Sequence, residues 1–556
     1  MPKKIDKKML LAAWSCNNKF WVIHQAYHAP LREIFTKVVN FDPQEETYKY
    51  GKRIMNEKFI ALLRKEKPDY IMLFLVWDEF YSETLMKIKQ ILPNVKVVQW
   101  NGDDDIKFDN YTVPYSAIID YQFISQLQFT NRYDKYNLPW FDMLGADTKK
   151  FRPLNLKKKY EVAFVGTPKG ERLEYMRYLL QKKVNFILAG GGWADYPEFK
   201  ERYLGQLTDE DFVKLINETK INICFSKNYF SSPHVLERSL QVNACKAFAL
   251  TGYVDGYFPK FKEGADISTF KDKEELLEKI NYYLKHEEKR EKIAEKAYKK
   301  VTSLYSNQKM LRDAFETIEN DKKELHTISS LKYMKKKPIY LEKADFEQEI
   351  NHIKNKIANY DYICFKNKDH EPLPYRDYFQ VYSTDLIGKP ISICDAYLNS
   401  HIIGDYAALA LHYAYHYHSD KESFYDNIDI SQFMVKKDFF LNNLDKFYSL
   451  YRGEKAIFIN SDNTLFITMP LIRARKIKKL PLRNIEHICS LYLESDLLVL
   501  RNQKRLFRDI YLYKLLFYSI FINPQILKHL LVNVSRKTKN PRAIKLANFF
   551  DKYYKK

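Results

Sequence analysis

The stretch from Ile221 to Phe270 constrains this chain more than any other. A run of mostly apolar residues, Ile221 to Phe225, stops at Ser226 and Lys227, and this spacing predicts a buried strand. A helix is expected to start near Ser231–Pro233. A second short apolar run, Ala247 to Leu250, then stops at Thr251 and Gly252. The order is strand, helix, strand, with small or polar residues wherever a strand ends. In a doubly wound sheet those strand ends face a ligand crevice.

Similar alternation fills the first 150 residues. Strands are expected at Met9–Trp14, Lys37–Phe41, Tyr70–Val76, Val95–Trp100 and Asp120–Ile124, with helices at Tyr50–Glu66 and Ser82–Leu92 between them. A new first strand, Tyr160–Gly166, leads into the loop Thr167-Pro168-Lys169-Gly170-Glu171-Arg172. A further strand ends in Gly190-Gly191-Gly192, and a helix is expected over Lys289–Val301. Strands alternating with helices imply parallel sheets covered on both faces.

The segment around Arg238 resembles the donor-binding half of CgeB-like (spore-maturation-type) glycosyltransferases with the GT-B fold. The residues that carry the resemblance are Arg238, Leu240-Gln241, Ala244-Cys245-Lys246, the following strand and the acidic helix KDKEELLEKINYYL. Leu144-Gly145-Ala146-Asp147 with Phe151 and Pro153 is similar to the connector that ends the first domain of many GT-B enzymes. The resemblance spans about residues 1–320. It implies two Rossmann-type domains, with closing helices that cross back onto the first, and a nucleotide-diphosphate-sugar donor held between them without a required cofactor.

Sugar transfer needs a neutralised diphosphate, a held nucleoside and a placed acceptor hydroxyl. The loop with Gly166, Thr167, Lys169 and Arg172 suits the phosphates, since glycine lets backbone approach closely and a helix follows. Gly191 and Gly192 are candidates for donor contact, or an ordinary turn. Arg238 is the leading phosphate ligand, because a guanidinium matches diphosphate geometry. Ser226, Lys227 and His234 share its loop.

Two letters depart from the family. Gln241 stands where relatives carry a Glu that accepts from ribose hydroxyls; the amide keeps one acceptor oxygen. Lys246 stands where they carry Gly, either crowding the donor or adding charge beside it. On the first domain, Asp103, Asp104 and Asp105 follow a strand end; one of them could orient or deprotonate the acceptor, or the run could simply cap a helix. His24 and His28 could also line the cleft.

After the basic break Lys332–Pro338, residues 335–490 resemble part of a GT-A glycosyltransferase domain, with Asn367-Lys368-Asp369 at the place of a DxD motif. Only Asp369 remains a good oxygen ligand, so Mg or Mn would serve only if this domain is active. His412 and His416 share a helix face, with His418 close by; nothing else there suggests a metal site. From Arg501 to Lys556 there are fourteen Lys or Arg against two Asp, which holds over half of the chain's net charge of +21. Basic residues beside Tyr, Phe and Leu suit an anionic membrane surface through residues 500–556; no nucleic-acid module is present, so nucleic acid is not expected.

The expected architecture is therefore α/β: a GT-B-like pair of Rossmann-type domains at 1–150 (acceptor) and 151–325 (donor), a C-terminal α/β accessory, partly GT-A-like domain at 335–490, and a basic helical tail at 491–556. The expected activity is glycosyl transfer to a hydroxyl of a glycan, lipid-linked or protein acceptor. The scattered cysteines read as free thiols. The N-terminus lacks an Ala-x-Ala cleavage site and no apolar run reaches membrane-spanning length, so a cytoplasmic protein is expected, peripheral at the inner membrane face. Alternatives are a degenerate glycan- or nucleotide-sugar-binding protein, which Gln241, Lys246 and Asn367 favour, or another GT-B activity such as a nucleotide-sugar epimerase or a phosphorylase.

Overall fold

The structure is a computed structural model that describes residues 3–14, 27–75, 79–168, 170–226, 235–257, 260–321, 325, 336–368, 370–400, 404–407, 430–451 and 463–474. Three sheets organise it.

The first sheet is wholly parallel. Its strands are β1 (Ile5–Ala13), β2 (Phe35–Phe41), β3 (Tyr70–Phe74), β4 (Lys96–Asn101), β5 (Tyr121–Ile124) and β6 (Trp140–Asp142), in the order β2-β1-β3-β4-β5-β6. Alternation along β1 divides its side chains between two cores. Leu10 and Ala12 face Met55, Phe59 and Leu63 of helix Lys52–Glu66, while Met9, Leu11 and Ala13 face Leu31 and Ile34. The helix expected over Tyr50–Glu66 runs unbroken from Lys52 to Glu66; a separate helix, Pro43–Tyr50, precedes it and ends at Gly51, whose φ of 83° turns the chain between the two.

The second sheet is also parallel. Its strands are β7 (Tyr160–Val165), β8 (Phe186–Ala189), β9 (Thr219–Cys224), β10 (Ala249–Gly252) and β11 (Ser268–Phe270), in the order β11-β10-β9-β7-β8. The strand order reverses between β7 and β9, and that is where a doubly wound sheet opens its crevice. The helix expected from Ser231–Pro233 begins later, at Glu237, and runs to Ala244.

The closing helix of this unit returns to the first sheet, as the resemblance implied. Met310, Leu311, Ala314, Phe315 and Ile318 of helix Asn307–Asn320 join the core made by Leu31, Phe35, Tyr70 and Phe123. At the crossing the two connecting strands of chain pair with each other: Ala146 N donates to Tyr305 O at 2.9 Å and Asn307 N to Ala146 O at 2.9 Å. This explains the connector's letters. A Cβ at Gly145 would lie 2.6 Å from Asn307 Oδ1 and 2.7 Å from Tyr305 O. Asp147 Oδ1 accepts from Lys149 N at 3.1 Å and from Gln308 Nε2 at 3.1 Å, tying connector to helix. Gly145→Ala is expected to destabilise by about 1–3 kcal/mol through forced displacement of backbone, read as a lowered midpoint in urea.

The third sheet is mixed: β12 (Pro338–Leu341), β13 (Tyr362–Phe365), β14 (His370–Pro372), β15 (Ile391–Ser400), β16 (Gly404–Ala407), β17 (Phe433–Lys436) and β18 (Thr464–Ala474), in the order β12-β13-β17-β15-β18-β14 with β16 on β15. It is not a separate bead. Tyr378, Phe379 and Tyr382 of helix Arg376–Ile387 enter the core of the first unit beside Leu85, Tyr115 and Ile118. Tyr378 OH donates to Ala117 O at 2.9 Å, and the hydroxyls of Ser116 and Tyr382 meet at 2.8 Å. Among the described residues no helix is long and apolar enough to cross a membrane.

Candidate functional site

At the end of β7 the chain turns at Gly166, whose N donates to Ala189 O at 2.9 Å. Trp193 Nε1 donates to Gly166 O at 2.7 Å, which clamps this loop to the glycine run. A Cβ at Gly190 (φ +116°) would sit 2.5 Å from Gly166 O, and one at Gly192 (φ +89°) 3.0 Å from Pro168 Cδ. Loop-on-loop packing therefore accounts for Gly190 and Gly192, the structural turn that the sequence left open. Gly191 packs loosely, with Gln206 Nε2 at 3.3 Å from a Cβ built there. Thr167 lies half-buried beside them. Lys169, Lys227 and His234 lie outside the described residues.

At the end of β9, Ser226 is buried and its hydroxyl donates to Gly252 O. Its side chain is thus spent on joining β9 to β10. Gly252 is small because a Cβ there would come within 2.9 Å of Ser226 N.

Two arginines follow these strand ends, near enough for the charge of one to be felt at the other. Arg172 opens helix Arg172–Gln181 and lies 5.9 Å from the ring centre of Phe164. Arg238 is the second residue of helix Glu237–Ala244, half-buried, with its guanidinium 4.3 Å from the centre of the Phe212 ring. Burial, and then the charge of Arg238, lowers the pKa of Arg172. Burial also lowers that of Arg238. Both remain cationic at neutral pH, since an arginine starts so high. Two like charges, each at a helix start, are the kind of arrangement that suits a dianion.

Gln241 sits one turn beyond Glu237 and hydrogen-bonds its carboxylate. Glu237 was not recognised in the sequence, where it reads as an ordinary first-turn acid. Burial raises its pKa, against the pull of the Gln241 hydrogen bond and of Arg238 and Lys150. Across the cleft, burial and then the charge of Glu237 raise the pKa of Tyr27 on the first unit. So the charge of a carboxylate on the second unit is felt by a phenol on the first.

Lys246 settles away from the donor crevice. It occupies the left-handed position after the helix (φ 55°), and its Nζ pairs with Glu295 on helix Glu287–Leu304. Neither alternative read from the sequence applies: it does not crowd the crevice and brings it no charge. Glycine suits this position because of its φ. Lys246→Gly removes that strain at the loss of a half-exposed ion pair, so it is expected to stabilise by roughly 0.5 kcal/mol and to leave turnover unchanged, read by melting temperature and by assay.

On the first unit, Trp100 stacks on Phe74 (4.3 Å, 11°) and meets Tyr27 edge-on at 6.2 Å. Its ring lies over Gly102, where a Cβ would come 2.1 Å from Trp100 Cη2. This aromatic cluster stands at the carboxyl ends of β3 and β4, and aromatic faces of this kind stack on sugar rings.

The three aspartates separate. Asp104, the central catalytic candidate, is turned inward: Thr112 Oγ1 donates to its Oδ1 and Tyr133 OH to its Oδ2, each at 2.8 Å. Both oxygens are occupied and the residue is 2% exposed, so it does not reach an acceptor. Asp105 exchanges hydrogen bonds with Gln126, at 2.8 Å through its N and 3.1 Å through Oδ1. Asp103 alone keeps an exposed side chain, 3.6 Å from Lys107 Nζ.

Burial pushes the Asp104 carboxyl up to about 6, against the two hydrogen bonds. Such a group binds more protons folded than unfolded between about pH 4 and 6, so it lowers stability as pH rises through that window. The full cost is about 3 kcal/mol. Asp104→Asn removes this titration. The stability difference, variant minus wild type, is expected to rise by about 2–3 kcal/mol from pH 4 to pH 6.5, measured by urea unfolding at both pH values.

His28 precedes helix Ala29–Ile34, and His24 lies outside the described residues. In the third unit Asn367 and Lys368 form the turn between β13 and β14, with His370 N donating to Asn367 O at 3.0 Å. Asp369, His412, His416, His418 and residues 500–556 lie outside the described residues. Among the described residues no cluster of three or more His, Cys, Asp or Glu could hold a metal ion. The described cysteines, Cys224, Cys245, Cys364 and Cys394, are buried free thiols.

Two parallel doubly wound units, with paired cations at the strand reversal of the second, define the two-Rossmann-domain class to which GT-B enzymes conform. Residues 172–316 match the family model "Glycosyl transferase-like", about a quarter of the chain. The chain thus carries a glycosyltransferase-like domain, and the class of chemistry expected from the sequence, glycosyl transfer, stands.

Solved structures with a similar path include sucrose-phosphate synthase from Thermosynechococcus elongatus (12% identity, 57% of this chain and 99% of that one, TM-score 0.41). Another is HepE from Anabaena in complex with UDP-glucose (12% identity, 57% and 100%, TM-score 0.42). A third is a UDP-N-acetylglucosamine 2-epimerase (10% identity, 58% and 99%, TM-score 0.36). At these values the similarity assigns neither donor nor acceptor to this chain. No curated protein matches it.

Proposed function

We propose that this protein transfers a glycosyl group from a nucleotide-diphosphate sugar to a hydroxyl acceptor, with the donor held by the second Rossmann-type unit. The observation that carries this reading is the pair Arg172 and Arg238 at the β7/β9 reversal, within a glycosyltransferase-like segment. When the anomeric bond breaks, the diphosphate leaves with added negative charge. Cations and helix starts already aimed at it stabilise that charge without reorganisation. No metal is needed for that role.

Gln241 is engaged with Glu237, so ribose contact in this reading falls to the oxygen or amide proton that bond leaves over. The acceptor sugar lies against Trp100 and Phe74, with Asp103 and Glu237 as the carboxylates within the cleft that can orient its hydroxyl. Arg238 and the Ala244-Cys245 pair support the finer kinship with CgeB-like enzymes. The GT-A likeness of residues 335–490 rests on the sequence resemblance alone. In this reading residues 1–150 serve the acceptor, 151–325 the donor and 335–490 an accessory role. The basic tail, 491–556, docks the enzyme on an anionic membrane from the cytoplasmic side. The acceptor is a glycan, lipid-linked sugar or protein.

The test is a panel of nucleotide sugars assayed for nucleotide release by the full-length protein. Release from at least one donor, stimulated by acceptor, is expected. Isomerisation of a donor in the absence of acceptor, seen by mass spectrometry and chromatography, favours an epimerase instead. Binding without release favours a degenerate binding protein.

A further inference from the structure

Trp193 follows the glycine run after β8 and does more there than fill space. It is 1% exposed, and its ring stands edge-on to Phe164 at 6.1 Å and to Phe199 at 5.2 Å. A phenylalanine could pack in much the same way. Tryptophan adds an indole N–H, and Nε1 gives it to the main chain of the crevice loop, at 2.7 Å from Gly166 O.

Both backbone polar groups of Gly166 are therefore engaged on the β8 side. Its N donates to Ala189 O at 2.9 Å, and its O accepts from Trp193. The peptide joining Gly166 to Thr167 is planar and trans, so its N–H leaves opposite to its C=O. The Thr167 N–H is thus turned away from β8, toward β9 on the other flank of β7, where the strand order reverses. Among the described residues it meets no acceptor, and Thr167 is only half-buried. Pro168 restricts Thr167 to extended backbone. Gly192 leaves room for that proline ring, since a Cβ there would lie 3.0 Å from Pro168 Cδ. The glycine run is itself anchored: Gly190 N donates to Gly205 O at 2.9 Å, and Tyr203 OH to Gly190 O at 2.8 Å.

We propose that Trp193 is a positioning residue for the donor, fixing the Gly166–Thr167 peptide so that the Thr167 amide is presented to a phosphate oxygen of the nucleotide diphosphate. This inference rests on the reading of the β7/β9 crevice as the donor site. An unrestrained loop amide would have to reorient as the diphosphate arrives. One held by a buried indole is already aimed when the leaving group gains charge, and that is where preorganised dipoles count most. Trp193 touches no substrate; it acts through the loop.

The test is calorimetric titration of the full-length protein with UDP, GDP, ADP, CDP and TDP in turn, continued with whichever binds tightest. Trp193→Phe keeps an aromatic ring and deletes the N–H. It is expected to weaken nucleotide binding about tenfold, the usual loss for one hydrogen bond to a charged group. Phe199→Leu is the control for packing. It perturbs the same aromatic cluster and lowers the melting temperature but keeps the N–H, so nucleotide affinity is expected to stay at the wild-type value. Wild-type affinity in Trp193→Phe, with Arg238→Ala impaired, overturns the role of Trp193 and leaves the donor site standing. Wild-type affinity in both of those variants, or no nucleotide bound by the wild type, overturns the donor reading and this inference with it. Equal losses in Trp193→Phe and Phe199→Leu also overturn the inference, because packing alone then explains them.

Discussion

Arg238→Ala is expected to lower donor-dependent nucleotide release by about 10²–10³-fold, the usual loss when one preorganised charge is removed from a developing anion. The effect should fall mainly on kcat, because the leaving diphosphate carries more charge than the bound donor. Arg172 remains in the variant and keeps residual binding. Its pKa also rises once its like-charged neighbour is gone. Arg238→Lys should recover only part of the loss, since an ammonium cannot reproduce the planar fork and also loses its packing on Phe212. Steady-state release with the best donor of the panel reads all three proteins. Release at the wild-type rate in Arg238→Ala would sink the assignment of this crevice to the donor.

The second large effect lies far from that crevice. Phe315→Ala is expected to destabilise the protein by about 3–5 kcal/mol. Phe315 is fully buried and sits edge-on to Phe35 (4.9 Å), Tyr70 (5.6 Å) and Phe123 (5.4 Å). All three belong to the first unit, whereas Phe315 follows the second in the chain. Its removal opens a cavity in the first core and loosens the anchor that returns the chain to it. Neighbouring polar contacts depend on the same seat: Lys96 Nζ donates to Ile318 O at 2.6 Å and Tyr121 OH to Asp321 at 3.2 Å. Urea unfolding measures the loss. A change below about 1 kcal/mol would mean that the returning helix adds little to the first core.

Much of the fold was legible in the residues. Short apolar runs bounded by small or polar letters mark β1, β3, β4, β5, β7, β9 and β10, since buried parallel strands need near-continuous apolar sequence. The edge strands β6 and β11 escaped notice. Each has only three residues, too few to show a period. Arg238 drew attention in the sequence through its place early on the helix after a strand end and through the resemblance. Glu237 beside it did not, because its meaning comes from Tyr27, about two hundred positions earlier in the chain. The aspartate run shows the opposite failure. Three carboxylates at a strand end look equivalent in sequence, yet Thr112 and Tyr133 draw Asp104 inward and leave Asp103 outside.

Local chemistry by itself determined the succession of strands and helices, the two parallel α/β units and the loop whose glycines and cations suit a diphosphate. These follow from periodicity, backbone freedom and side-chain charge, all of which act over a few residues. Tertiary structure alone decided which of those groups meet. It set Arg172 within the field of Arg238, turned Lys246 away to Glu295, and set Tyr27 within the field of Glu237. Such pairings depend on which strand lies beside which and on where a helix returns, and both are set by the burial of whole faces rather than by any single stretch of chain.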